Sequence, residues 1–243
     1  MRKLTLLTAV ASVVSVLPII GAHGQGCPVT QPTLRNALVA AALADSTGLN
    51  NHYWAVVVNR EGVVCAVAFS GADIDDQWLL SRQIAAAKAF TANGLSLDNA
   101  PVSTGALYSW VLPIVPQNNP AGTKTGPSPV PLFGLNGGNV LDSAAAYDGP
   151  YDRFGTANDP MVGERVGGTI SFGGGLGLFT GGTNAVGGLG LSGDTACADH
   201  STAWRTRINL GLAPNPGTGF DAITLAANAH PHCPNDAGTQ GTT

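Results

Sequence analysis

Apolar positions along the chain follow two rhythms, and their order predicts helix, hairpin, helix, hairpin, helix. In residues 31–46, QPTLRNALVAAALADS, Leu34, Leu38, Ala41 and Ala42 recur at helical spacing. Pro32 falls in the first turn, where a missing N–H is harmless, and Gly48 is placed to end the helix in the left-handed region. Residues 53–58 (YWAVVV) and 63–69 (VVCAVAF) are rich in β-branched and aromatic side chains. The short polar loop Asn59-Arg60-Glu61-Gly62 joins them as a hairpin. Both runs are almost continuously apolar, so both faces of this part of the sheet should be covered. Residues 74–92 read as one long helix whose small residues can lie close on a sheet. A second strand pair is predicted at 167–179 (GGTISFGGGLGLF) and 185–191 (AVGGLGL). Its glycines mark bulges or places where another backbone comes close. The last helix is predicted over 195–210, with Asp194 or Thr195 as its cap.

Between 93 and 160 the periodicity fades, and Pro113, Pro116, Pro120, Pro127, Pro129 and Pro131 break up the chain. Residues 103–160 are therefore read as a Pro/Gly-rich insertion, with short helical or extended pieces near 103–110. Residues 27–212 form the expected domain, and 213–243 a tail rich in Pro, Gly and Asn.

The first 24 residues read as a signal peptide. Met1-Arg2-Lys3 is its basic start, residues 4–20 are apolar, and Gly21-Ala22-His23-Gly24 is a small-residue exit. Thr5, Thr8, Ser12, Ser15 and Pro18 interrupt the apolar run, so no stable membrane anchor is expected. The predicted location is secreted or periplasmic. Removing Arg2 and Lys3 would take the formal charge from −4 to −6. A mildly acidic chain poor in Lys and Arg lacks the electrostatic footprint of a nucleic-acid binder. Cys27, Cys65, Cys197 and Cys233 form an even set without metal-ligand spacing, which in an oxidising compartment means disulfides. Three connectivities are open. Cys27–Cys65 with Cys197–Cys233 is preferred, because each bridge would tie a terminal arm to the core.

Neither GxSxG nor HExxH occurs, so two common hydrolytic designs are absent. Gly188, Gly190 and Gly193 match GxGxxG between a strand and a helix. Too little chain follows for a dinucleotide-binding βαβ sheet, and the glycines are better read as architecture. The polar residues Asp194, Asp199, His200, Arg205 and Arg207 crowd into the same stretch as Cys197. There His200 is a candidate haem ligand, an acid/base, or a packed imidazole, with Trp204 one helical turn on. On the middle helix Arg82 and Lys88 are candidates to hold propionate or carboxylate groups, or to pair with Asp199 inside the domain. His230 and His232 form a weaker candidate metal pair in the tail.

Three segments and a hairpin, in the right order, resemble the GlcG/HbpS-like family, also called DUF336. AAAKAFTANGLSL at 85–97 is similar to the family's KAxTA helix, and residues 169–179 followed by VGGLGLSG at 186–193 to its paired Gly-rich strands. Asp199 falls on the acidic residue that follows that strand. VVVNREGVVCAVAF looks like its VVD-x-x-G hairpin, with Asn59 in place of Asp. The resemblance implies a profilin-like three-layer α/β/α domain with an antiparallel sheet of about five strands. It also implies a homo-oligomer that binds a small molecule, with haem as the cofactor. Lys88, Thr91 and Asp199 are the positions carried over from the family, and Arg82 and His200 are added from chemistry. Haem would then lie between the middle and last helices, with Lys88 or Arg82 near propionates and His200 or Thr91 near iron. The leading expectation is a non-catalytic haem- or tetrapyrrole-binding protein. Two alternatives stand beside it. One is an enzyme acting on a small organic acid, with Asp199 and His200 as acid/base pair; the other is a structural, self-assembling module.

Overall fold

A computed structural model describes residues 26–108, 140–217 and 220–223. In chain order its elements are α1 (Gln31–Leu43), β1 (Trp54–Asn59), β2 (Val64–Phe69), α2 (Leu79–Leu95), α3 (Ser143–Tyr147), β3 (Gly175–Thr180), β4 (Asn184–Ser192) and α4 (Ala196–Asn209). The expectations for the signal peptide, residues 109–139, His230, His232 and Cys233 fall outside the described residues. None of the described helices is long and apolar enough to cross a membrane.

Among the described residues, four strands form one antiparallel sheet in the order β2-β1-β4-β3, in keeping with the antiparallel sheet of about five strands that the resemblance implied. Alternation along β1 divides the core. Ala55 and Val57 face α1 and α4, joining Leu34, Leu38, Leu176, Leu189, Leu191 and Ala203. Trp54, Val56 and Val58 face the other way, onto Ala85, Ala86 and Ala89 of α2. The result is the expected three layers, with α1 and α4 on one face and α2 on the other.

Helix α2 packs unusually close to β4. A β-carbon at Gly188 would lie 2.2 Å from the Ala89 carbonyl oxygen, and one at Gly190 2.0 Å from that of Ala85. The dinucleotide-like glycine pattern therefore serves a helix–strand contact that a methyl group would prevent.

Two boundaries differ from the sequence reading. The long helix predicted over 74–92 is split into a 3-10 turn, Ile74–Asp76, and α2. Asp73 and Asp76 cap that turn reciprocally, and the Gln77 side chain donates back to the carbonyls of Asp73 and Ile74. These local bonds compete with helix continuation and leave Gln77 extended. The predicted strand at 167–179 begins only at Gly175. Gly167, Gly168 and Gly174 all have positive φ, which breaks strand geometry, and the chain crosses α2 instead, where the Ile170 N–H donates to Thr91 Oγ1 (3.0 Å).

The distal part of the insertion belongs to the core. Ala146 and Phe154, with Met161 and Val166 just beyond the insertion, pack with Trp54, Val56 and Val58 of β1, Val64 and Val67 of β2 and the alanines of α2, covering the sheet face beside that helix. Each large apolar side chain so buried contributes roughly 1.5–3 kcal/mol. Cys27 and Cys65 are disulfide-bonded, tying the segment before α1 to β2. Cys197 is disulfide-bonded as well, and no described cysteine is free.

Candidate functional site

The densest polar cluster lies where the C-terminal half of α2 faces the β4–α4 turn. Thr195 caps α4, its side chain accepting from the Ala198 N–H. That places Asp199 in the first turn, where the helix dipole favours a carboxylate. Asp199 Oδ1 accepts the backbone N–H groups of Gly193 (3.0 Å) and Asp194 (2.9 Å). Its Oδ2 meets Lys88 Nζ at 2.6 Å. Lys88 also donates to the Leu191 carbonyl at 2.9 Å. Both side chains are almost fully buried.

Gly174 lies directly over this pair. A β-carbon there would stand 2.4 Å from the Leu191 carbonyl oxygen and 3.0 Å from both Lys88 Nζ and Asp199 Cβ. Burial raises the Asp199 carboxyl from its ordinary range to about 6, against the opposing pull of the Lys88 ammonium and the Asp194 N–H. The cluster thus holds a carboxyl able to change protonation state near neutrality.

Thr91 stands one turn beyond Lys88. Its hydroxyl donates to the Ala87 carbonyl (2.7 Å) and accepts from the Ile170 N–H, pinning the 168–170 crossing onto α2. His200 follows Asp199 and is fully buried. Its ring centroid is 6.1 Å from that of Trp204. The fold therefore joins Lys88 to Asp199 directly, with Thr91 one turn along α2 and His200 next to Asp199 on α4.

Arg82 is held elsewhere. It is fully buried and makes a two-pronged ion pair with Asp159, both contacts at 2.6 Å. Its Nε donates to the Ala146 carbonyl, and its guanidinium lies 4.0 Å from the Phe154 ring centroid. Arg82 is six residues before Lys88, which on a helix points it to a different side. It does not converge with the Lys88–Asp199 pair.

Sequence reasoning missed Asp159, Thr104, Asp221 and Ile223. Asp159 and Thr104 lie in the aperiodic insertion, and Asp221 and Ile223 in the tail, so no spacing marks them. Among the described residues, no three His, Cys, Asp or Glu side chains converge as a metal centre.

No protein-family model matches the chain, and no curated protein matches it. Solved structures do overlap with it. A Klebsiella pneumoniae protein, ORFY, of the DUF336 family model, is 19% identical with a TM-score of 0.44, over 75% of this chain and 90% of its own. The PduOC:haem complex gives 19% identity and a TM-score of 0.44, over 78% and 94%. A double mutant of Streptomyces reticuli HbpS gives 19% and 0.42, over 83% and 97%.

Proposed function

We propose that this chain is a secreted, non-catalytic binder of haem or a related tetrapyrrole, with its site at the Lys88–Asp199–His200 cluster. One observation carries the reading. Two of the positions drawn from the sequence resemblance, Lys88 on α2 and Asp199 on α4, lie 111 residues apart yet meet directly, with Thr91 one turn along from Lys88 and His200 next to Asp199. The donor set suits the group: an imidazole is an axial iron ligand, and an ammonium partners a propionate. Trp204, its ring centroid 6.1 Å from that of His200, supplies an apolar flank. When bound, haem would bring its own redox and ligand chemistry. Of the protein groups, His200 would hold the iron, Lys88 would face propionate, and Asp199 would keep Lys88 oriented.

Self-assembly belongs to the same proposal. Trp78 and Leu80, exposed at the start of α2, offer apolar surface for it.

Titration of the purified, disulfide-intact protein with haemin is the test. A Soret band shifted from that of free haemin, and altered in His200→Ala, is the expected result. The absence of any shift overturns the haem reading. A shift that His200→Ala leaves unchanged removes His200 as the ligand.

A further inference from the structure

Two stretches that are far apart in sequence meet beside His200. Residues 101–104 and 220–222 run side by side. Phe220 N–H donates to the Pro101 carbonyl (2.9 Å), Ser103 N–H to the Phe220 carbonyl (2.8 Å), and Ser103 Oγ to the Ala222 carbonyl (3.1 Å). Thr104 joins this pair to the sheet edge. Its N–H donates to the Gly175 carbonyl (2.9 Å), and its hydroxyl accepts the Gly175 N–H (2.7 Å).

The tail stretch is then fastened to α4. Asp221 takes both prongs of the Arg207 guanidinium, at 2.9 and 2.5 Å, and Arg207 also donates to the Gly177 carbonyl (3.1 Å).

Ile223 is the point of the contact. It packs on Cys197 and Ala198 of α4. A β-carbon at Gly173 would lie 2.9 Å from both His200 Cβ and Ile223 Cδ1, and one at Gly105 3.1 Å from Ile223 and 3.3 Å from His200 Nδ1. An added β-carbon at either glycine would meet both side chains, so Ile223 lies close beside His200.

The hold on this stretch is unlike that of the core. Phe220 is 59% exposed, and the stretch is held by its bonds to Pro101 and Ser103, by Ile223 and by the Arg207–Asp221 pair. Arg207 is fully buried and also donates to the Gly177 carbonyl, so it keeps a protein partner when Asp221 leaves.

We infer that residues 220–223 are an intramolecular stopper: the tail occupies the place beside His200 that a ligand must take, and the Arg207–Asp221 ion pair is its latch. The inference rests on the cluster being the binding site, and it adds that the resting protein is autoinhibited. Ligand uptake is then limited by tail release.

Full-length, disulfide-intact protein carrying Asp221→Asn or Ile223→Ser tests this. Carbethoxylation of His200 by diethyl pyrocarbonate, read peptide by peptide by mass spectrometry, reports the cover without any ligand. Both variants should modify His200 at least tenfold faster than the unaltered protein, and Asp221→Asn should take up haemin correspondingly faster. Equal His200 rates in folded variants overturn the stopper. Faster modification with no haemin binding in any form leaves the stopper standing and removes the haem reading. Should the variants fail to fold, hydrogen exchange on the unaltered protein decides. The amides of Ser103, Thr104 and Phe220 should open together well before that of Val57 in the central strand. Exchange of all four only through global unfolding overturns the inference.

Discussion

Helix α2 carries two buried cations, Arg82 and Lys88, and each meets one aspartate, yet the pairs differ in every detail that bears on use. Arg82 is saturated. Its fork is matched by both oxygens of Asp159, its Nε by the Ala146 carbonyl, and its face by Phe154. Asp159 in turn accepts the N–H groups of Gly155 and Met161, so the pair bolts the segment around 155–161 to the core. Lys88 meets a single oxygen of Asp199, whose other oxygen is held by a Gly-rich turn. Guanidinium stays charged in any protein environment, whereas a buried carboxyl can take up a proton. The first pair is therefore fixed scaffolding, and the second can change state.

The largest effect expected from this difference is at Asp159. Asp159→Ala leaves a guanidinium buried with no countercharge and should cost about 3–5 kcal/mol. For a chain of this size that lowers Tm by about 10 °C. Since Arg82 cannot lose its proton, the loss should be the same at pH 5 and pH 8 in denaturant titrations. A loss below about 1 kcal/mol would show that the insertion is not fastened through this pair.

Lys88→Met should behave differently. The carboxyl it leaves behind is already raised to about 6 and moves further up without the ammonium, so at pH 5 it is neutral. The expected cost is roughly 1–2 kcal/mol at pH 5, rising towards 3–5 kcal/mol at pH 8. The unaltered protein shows the same chemistry with a definite sign. Native Asp199 keeps its proton to about pH 6, while the unfolded chain releases it near 3.8. The native state thus binds more protons in that window, and the Asp199 contribution to stability falls as pH rises through it. A flat difference between Lys88→Met and the unaltered protein across pH 5–8 would erase the contrast between the two pairs.

How much of this was legible in the sequence follows from how local each signal is. The hairpin of β1 and β2 and the α1 and α4 helices were readable within a residue or three, because their periodicity is contained in the segment itself. The break at Gln77 was missed because an apolar pattern does not register a side chain returning to the carbonyls of Asp73 and Ile74. The late start of β3 depended on positive φ at Gly174, which a Gly-rich run permits but does not demand. At the site, the alternative that Lys88 pairs with Asp199 was within reach, since both residues lie in motif-like segments. The partner of Arg82 was not, because it lies 77 residues away in a stretch with no rhythm. The stopper was equally out of reach, since an isoleucine in a Pro/Gly-rich tail carries no periodic signal.

The smallest effect belongs to a third cation–carboxylate pair, which sets the baseline for the other two. Arg165 and Glu61 approach at 3.4 Å, with side chains 57% and 44% exposed. Arg165 Nε also donates to the Glu61 backbone carbonyl at 2.9 Å, a bond that Glu61→Gln leaves in place. Both charges stay hydrated whether or not they meet, so the substitution should change stability by no more than about 0.5 kcal/mol at any pH between 5 and 8. Salt should shrink even that. A larger loss would mean that contact alone confers stability here, and the distinction drawn between Arg82 and Lys88 from burial and proton uptake would lose its physical basis.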